Sequence, residues 1–288
     1  MIRQTTHPTC PPGHCTPATA IVLGIALASA AATVAFAATP LPAPLPVPLQ
    51  ALEKQGLVIV GTFPSAGGLT AYAAHMGTEP VALYLTPDGK HVIAGTLFDA
   101  SGKNLSTDAL EKMLAKPMAD AVWGQLEKSQ WIADGRENAP RTVYVFTDPN
   151  CPYCNKLWAD ARPWVDAGKV QLRHVMVGIL TPTSAGKAAA LLNEKNPVAA
   201  LDAYERGHVA SNAKTLASGR PKPLGDDGVK PLAPVPPALQ ARLDANAKLM
   251  ASYGLRATPA LVWKDASGKV QMRQGAPEGD LAAIFGPR

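Results

Sequence analysis

This 288-residue chain carries little charge: Asp, Glu, Lys and Arg together make up 17% of it, with a formal balance of +5. It has no Lys/Arg run and no basic stripe, so the electrostatic footprint of a nucleic-acid binder is missing. Weak basicity of this kind speaks for solubility and names no partner. Cysteine is scarce as well, with Cys10, Cys15, Cys151 and Cys154 the full complement. Only the last two form a C-x-x-C pair, and closed structural zinc usually takes four ligands. His174 and His208 stand isolated in the sequence, so redox exchange is the stronger reading of the pair, and neither a metal nor a cofactor is expected. No internal repeat appears.

Charge is absent from the N-terminus too, where Arg3 is the single charged side chain before Glu53. From about Ala18 the chain is apolar and rich in alanine, and it ends in Ala35-Phe36-Ala37, an A-x-A cleavage site. Residues 1–37 therefore read as a signal peptide. The alternative is an uncleaved anchor, because the apolar run approaches the ~20 residues that span a bilayer. Export changes the cysteine arithmetic, since cleavage removes Cys10 and Cys15 and leaves Cys151 and Cys154 alone. One pair three residues apart closes too short a loop to restrain an unfolded chain of this length. That pair points to chemistry rather than to stapling.

The pair ends the stretch Val143-Tyr-Val-Phe-Thr-Asp-Pro-Asn-Cys-Pro-Tyr-Cys154. A run of β-branched and aromatic residues predicts a strand, then a turn, then a helix opening at the cysteines. A helix N-terminus stabilises a thiolate placed on it. Cys151 is expected to be exposed and to attack; Cys154, one turn deeper, is expected to be shielded and to resolve a mixed disulfide. Pro152 suits the first helical turn because it has no N–H to leave unpaired.

The rest of the chain divides around this motif. Thr39–Pro48 is a Pro-rich spacer, counted as 38–48. Residues 49–105 read as a small domain with one short helix (49–55) and strands at 57–62, 69–75, 81–86 and 90–98. Residues 106–134 read as a helical connector, with a break or kink at Pro117. Residues 135–288 then carry strand (142–147), helix (151–166), strand (170–177), a long helical insertion at about 183–253, strands at 260–264 and 269–274, and a last helix. Pro163 should bend the end of the redox helix, and 210–236, rich in Gly, Pro and Lys, reads as a surface loop. His75 and His91 read as surface or interface residues, the tryptophans as core anchors, and Asp148 as a turn cap.

Asp148-Pro-Asn-Cys-Pro-Tyr-Cys154 and the later Ala257-Thr-Pro-Ala260 resemble the thioredoxin superfamily. With a signal peptide, a leading β domain and a connector, the whole resembles the periplasmic disulfide isomerases of the DsbC/DsbG family. Ala161–Leu172 and Tyr84–His91 look like its DsbG branch. The resemblance implies an α+β, cystatin-like N-terminal dimerisation domain and an α/β thioredoxin-like catalytic domain with a helical insertion. It implies catalytic Cys151 and Cys154, a cis Pro259, and substrate contact through Pro152, Tyr153, Thr258 and Pro259. It further implies a homodimer, exported cysteine-bearing substrates, an inner-membrane electron donor of the DsbD type, and reduction of sulfenylated cysteines. A DsbA-like oxidant and a dimeric holdase chaperone with secondary thiols are the alternatives. The long, Pro-rich 210–236 departs from the family.

Overall fold

A computed structural model describes residues 41–287. The signal-peptide reading, with Cys10, Cys15 and the start of the spacer, lies outside the described residues. Among the described residues no helix is long and apolar enough to cross a membrane.

The first sheet follows helix α1 (Val47–Glu53) and has β1 (Val58–Phe63), β2 (Thr70–Met76), β3 (Glu79–Leu85) and β4 (Val92–Ala94) in chain order, all antiparallel. Alternating side chains give it two apolar faces. Leu49, Leu57, Ile59, Tyr72, Leu83 and Leu85 pack on one. Phe63, Ala71, Ala73, Ala82 and Tyr84 pack on the other, against Ala109 and Leu114. The fourth strand is shorter than the 90–98 expected. It pairs only Val92–Ala94 with β3, and Phe98 bridges instead to Asn104. His75 is also not a surface residue; it is buried, with Nδ1 3.0 Å from the Gly77 carbonyl.

Helix α2 (Thr107–Lys128) runs unbroken through Pro117, where a break or kink was expected. Its first half covers the small sheet through Ala109 and Leu114, and its second half inserts Val122 and Leu126 beside Tyr144 and Phe146. The helical connector ends sooner than the 106–134 read from sequence. Trp131–Asp134 is β5, whose alternately buried residues pair antiparallel with residues 172–175, so this segment belongs to the second sheet.

That second sheet has the order β5-β7-β6-β8-β9. β6 (Arg141–Thr147) and β7 (Val170–Met176) are parallel and joined by helix α3 (Pro152–Val165); β8 (Ala260–Lys264) and β9 (Val270–Gln274) complete it antiparallel. Leu157, Ala161, Trp164 and Val165 of α3 pack with Val143, Val145 and Leu172 and with the closing helix α7 (Leu281–Phe285). Three helices, α4 (Ser184–Asn193), α5 (Pro197–Ala217) and α6 (Pro237–Ser252), form the insertion between β7 and β8. Residues 210–217 are the last turns of α5, so the Pro-rich loop is only 218–236. It is not simply a surface loop. Leu224 is buried among Met176, Leu201, Leu239 and Leu243, and the Leu232 N–H donates to the Gly186 carbonyl. At Gly186 a Cβ would lie 2.7 Å from that Leu232 carbonyl oxygen, a contact only glycine allows.

Candidate redox site

The buried Val143–Phe146 of β6 carries the chain through the sheet core to the turn Asp148-Pro149-Asn150, which ends at Cys151. Cys151 caps α3, and Pro152 is the first helical residue. The Cys151 sulfur accepts a hydrogen bond from the Cys154 N–H at 3.2 Å. On its other side the Thr258 carbonyl lies 3.4 Å away, in reach of the thiol proton. The Thr258–Pro259 bond is cis. Both thiols are free.

The expectation that Cys151 is exposed fails: it is 2% accessible, because the backbone of Thr258 lies against the sulfur. Its surroundings nonetheless favour the thiolate. The Cys154 thiol donates to it and lowers its pKa to about 7 against the opposing effect of burial, with help from the Thr258 hydroxyl and the N–H groups of Cys154 and Tyr153. That hydroxyl is buried and makes no hydrogen bond among the described residues, so its proton is free to turn to the sulfur. Cys154 moves the other way. Burial pushes its pKa well up, and the neighbouring Cys151 and the Glu205 carboxylate add to the rise. Two sulfurs one helical turn apart thereby differ in acidity, with Cys151 the more readily ionised. Tyr153, between them in the chain, stands half exposed, as do Ile179 and Leu180, whose N–H groups bond Asp148.

The turn itself is held by buried polar groups. Asp148, fully buried, does more than cap a turn. One carboxylate oxygen accepts from the Asn150 N–H and the Ser184 hydroxyl, both at 2.8 Å; the other accepts from the N–H groups of Ile179 and Leu180 at 2.7 and 3.0 Å. Asn150 adds bonds to the hydroxyls of Thr181, Thr183 and Ser184. At the same turn, the Tyr204 hydroxyl donates to the Pro149 carbonyl at 2.6 Å, and the Leu224 N–H to the Asn150 carbonyl at 3.1 Å.

Helix α5 supplies the groups that sequence reading missed. Asn155, next to Cys154, donates to both the carbonyl and the carboxylate of Glu205, at 2.8 and 2.7 Å. Asn212 donates to the Asn155 side chain at 3.0 Å and to the Pro152 carbonyl at 2.8 Å. Glu205 is buried, and burial raises its pKa to about 7, with hydrogen bonding from Asn155 pulling the other way. Lys187 of α4 is wholly buried, with Nζ 3.0 Å from the Leu224 carbonyl and 2.9 Å from Asp226. A deeper cluster ties His174 to Thr147 and Asp134 and pairs Asp134 with Arg162. Burial works against that carboxylate, yet His174 and Arg162 hold its pKa at about 2. In the sequence only Gly186 signals this packing, as a glycine inside a helix where no turn needs one.

Comparison with known proteins bears on both parts of the chain. Residues 131–285 match the family described as "Thioredoxin-like domain", and residues 50–107 match "Disulfide bond isomerase protein N-terminal domain". The chain is 49% identical over 241 residues to "Thiol:disulfide interchange protein DsbG" of Pseudomonas aeruginosa, spanning 83% of this chain and 88% of that protein. Identity to the Escherichia coli protein of that name is 39% over 230 residues, 80% of this chain and 86% of the other. "Thiol:disulfide interchange protein DsbC" of Dickeya dadantii is 30% identical over 192 residues, 65% and 66% of the two chains.

Proposed function

The chain belongs to the DsbC/DsbG family of thiol:disulfide interchange proteins, on its DsbG side, and from that membership we propose that it works in the periplasm as a homodimeric disulfide isomerase and reductase acting through Cys151 and Cys154. The observation that carries the assignment of roles is the contrast within the pair: Cys151 lowered to about 7, Cys154 buried and raised.

The Cys151 thiolate attacks one sulfur of a substrate disulfide; a Cys151–substrate disulfide forms and the other substrate sulfur leaves as a thiolate. If that thiolate or another substrate thiol attacks the mixed disulfide, the substrate is re-paired and the enzyme returns reduced. If Cys154 attacks instead, its proton departs, the Cys151–Cys154 disulfide forms and the substrate leaves reduced. Re-reduction then requires an electron donor, for which an inner-membrane protein of the DsbD type fits the exported location. A sulfenylated cysteine enters the same cycle, its oxygen leaving as water when Cys151 attacks. Substrate lies extended against the Thr258 backbone, a β-addition contact. The Pro259 carbonyl is already taken by the Gly275 N–H at 2.7 Å, so Thr258 provides the pairing edge and Pro259 shapes it. Pro152 and Tyr153 contact the substrate from the helix side.

The small domain supports the homodimer, since Val58, Met76, Ile93 and Phe98 are large apolar side chains left about half exposed on it. The test is a set of three measurements. Cys154→Ala in exporting cells should accumulate mixed disulfides with exported proteins, and acid-trapped wild type should hold its pair mainly reduced. A mainly oxidised pair identifies a DsbA-like oxidant instead. A Cys151→Ser protein that still promotes refolding of a scrambled-disulfide substrate identifies a holdase.

A further inference from the structure

The loop 218–236 follows α5, and the structure fixes where it goes. Between Asn212, which donates to the Pro152 carbonyl, and Leu224, whose N–H donates to the Asn150 carbonyl, the chain leaves the redox turn and returns to it. The segment so bracketed reads Ala-Lys-Thr-Leu-Ala-Ser-Gly-Arg-Pro-Lys-Pro and contains three cations and no acid. Lys214, Arg220 and Lys222 are exposed and line one open cleft of about 530 Å³, together with Thr215 and Ser218.

These charges stand on a stiff support. Pro221 and Pro223 fix the backbone around Lys222, and Arg220 and Lys222, two residues apart in non-helical chain, line that same cleft. Leu224 is buried in the core, and its carbonyl is gripped by Lys187. The nearest acids are partly spent: Asp226 is paired with Lys187, and Asp227 remains as the local counter-charge. Two residues of extended chain reach at most ~7 Å. Lys222 is two residues from Leu224, and Leu224 bonds the residue that precedes Cys151. With the 3.1 Å Leu224–Asn150 bond, the step on to Cys151 and the lysine side chain added, its charge lies within about two Debye lengths of the substrate's path at ~0.1 M salt.

We infer that Lys214, Arg220 and Lys222 form a basic wall of the substrate groove that selects cysteines flanked by acidic residues in the protein substrate. The inference rests on the thiol-exchange reading and names the substrate class for that same site. Chemistry at the sulfurs is unchanged; the wall acts on encounter, holding an acidic segment while its cysteine meets Cys151.

The test uses the full-length protein with its pair reduced beforehand and short peptides holding one cysteine in a disulfide with a chromogenic thiol. The Cys151 thiolate attacks the peptide sulfur and the chromogenic thiolate leaves, so absorbance reads the second-order rate. One peptide flanks its cysteine with three acidic residues and the other with three lysines. At low salt the acidic peptide should react about tenfold faster, the scale of charge steering in a cleft. The difference should shrink in 0.5 M NaCl as screening shortens. The triple variant Lys214→Glu, Arg220→Glu, Lys222→Glu should reverse the preference. Arg242→Glu with Lys248→Glu, which alters two exposed cations of α6, should leave it standing. Equal rates for both peptides in wild type overturn the inference, as does an equal shift from the α6 variant. A reduced protein that reacts with neither peptide overturns the thiol-exchange reading itself.

Discussion

The two sheets of this molecule are stabilised in opposite ways. The small N-terminal sheet is packed with alanine, leucine and tyrosine, and its buried polar side chains are few, chiefly His75 and the Tyr84–Ser106 hydroxyl pair. It leaves Val58, Met76, Ile93 and Phe98 outside. The catalytic region buries Asp148, Asn150, Asn155, Lys187, Glu205 and Asn212 around one turn. Apolar packing is tolerant of exchange and suits a surface made for association. Buried polar groups are intolerant, because each loses its partner at full desolvation cost. One region leaves apolar side chains open to solvent, the other holds two sulfurs in fixed and unequal surroundings.

The contrast can be broken by substitution, starting where the effect is greatest. Cys151→Ser should abolish disulfide exchange while leaving thermal unfolding nearly unchanged, as measured with a scrambled-disulfide substrate and by calorimetry. Asp148→Ala strips partners from three N–H groups and a hydroxyl, and should destabilise the protein by about 3 kcal/mol in denaturant titrations. A change below about 1 kcal/mol would show that the turn is held by packing alone.

Glu205 gives a pH signature with a defined sign. Its pKa is raised from 4.5 to about 7 on folding. Below 4.5 both states are protonated and nothing is lost. As pH rises from 4.5 to about 7 the unfolded state releases its proton first, so the stability due to this group falls, by up to about 3 kcal/mol. Glu205→Gln should flatten that slope between pH 4.5 and 7. The Asp134 carboxylate, held at about 2, acts oppositely: its contribution is present above 3.8 and lost as pH falls toward 2. Smallest in energy is the association surface. Ile93→Asp with Phe98→Asp should weaken dimerisation at least about tenfold, roughly 1.4 kcal/mol, in sedimentation, without moving the rate of Cys151 alkylation. An unchanged dimer would place the interface elsewhere.

The parts of this molecule that sequence conveys are those with local signatures. A strand ending in Asp-Pro-Asn-Cys-Pro-Tyr-Cys and a late Thr-Pro are contiguous patterns; the first marks the turn, and the family resemblance the two carry implies the cis Thr258–Pro259 bond that the structure has. What stayed hidden depends on residues far apart in the chain. Lys187 sits among alanines in α4 and reads as a solvated helix position, yet its ammonium is enclosed by carbonyls of a loop nearly forty residues on. Glu205 is followed by Arg206, like many exposed helix pairs, and only the packing of α5 on α3 buries it. Cys151 was expected in the open because the helix start is open; the covering backbone arrives 107 residues later. Trp131–Asp134 reads as the tail of a helix until β7 is there to pair with it.

Trp158 lies one helical turn beyond Cys154, buried, its indole N–H unpartnered among the described residues and its ring faced by the guanidinium groups of Arg162 and Arg206 at 4.0 and 5.3 Å. An indole kept from water emits at short wavelength, and a disulfide close by is an efficient quencher of that emission. Trp158 is therefore expected to report optically on whether Cys151 and Cys154 are joined, as a change in emission on reduction that Trp158→Phe should remove.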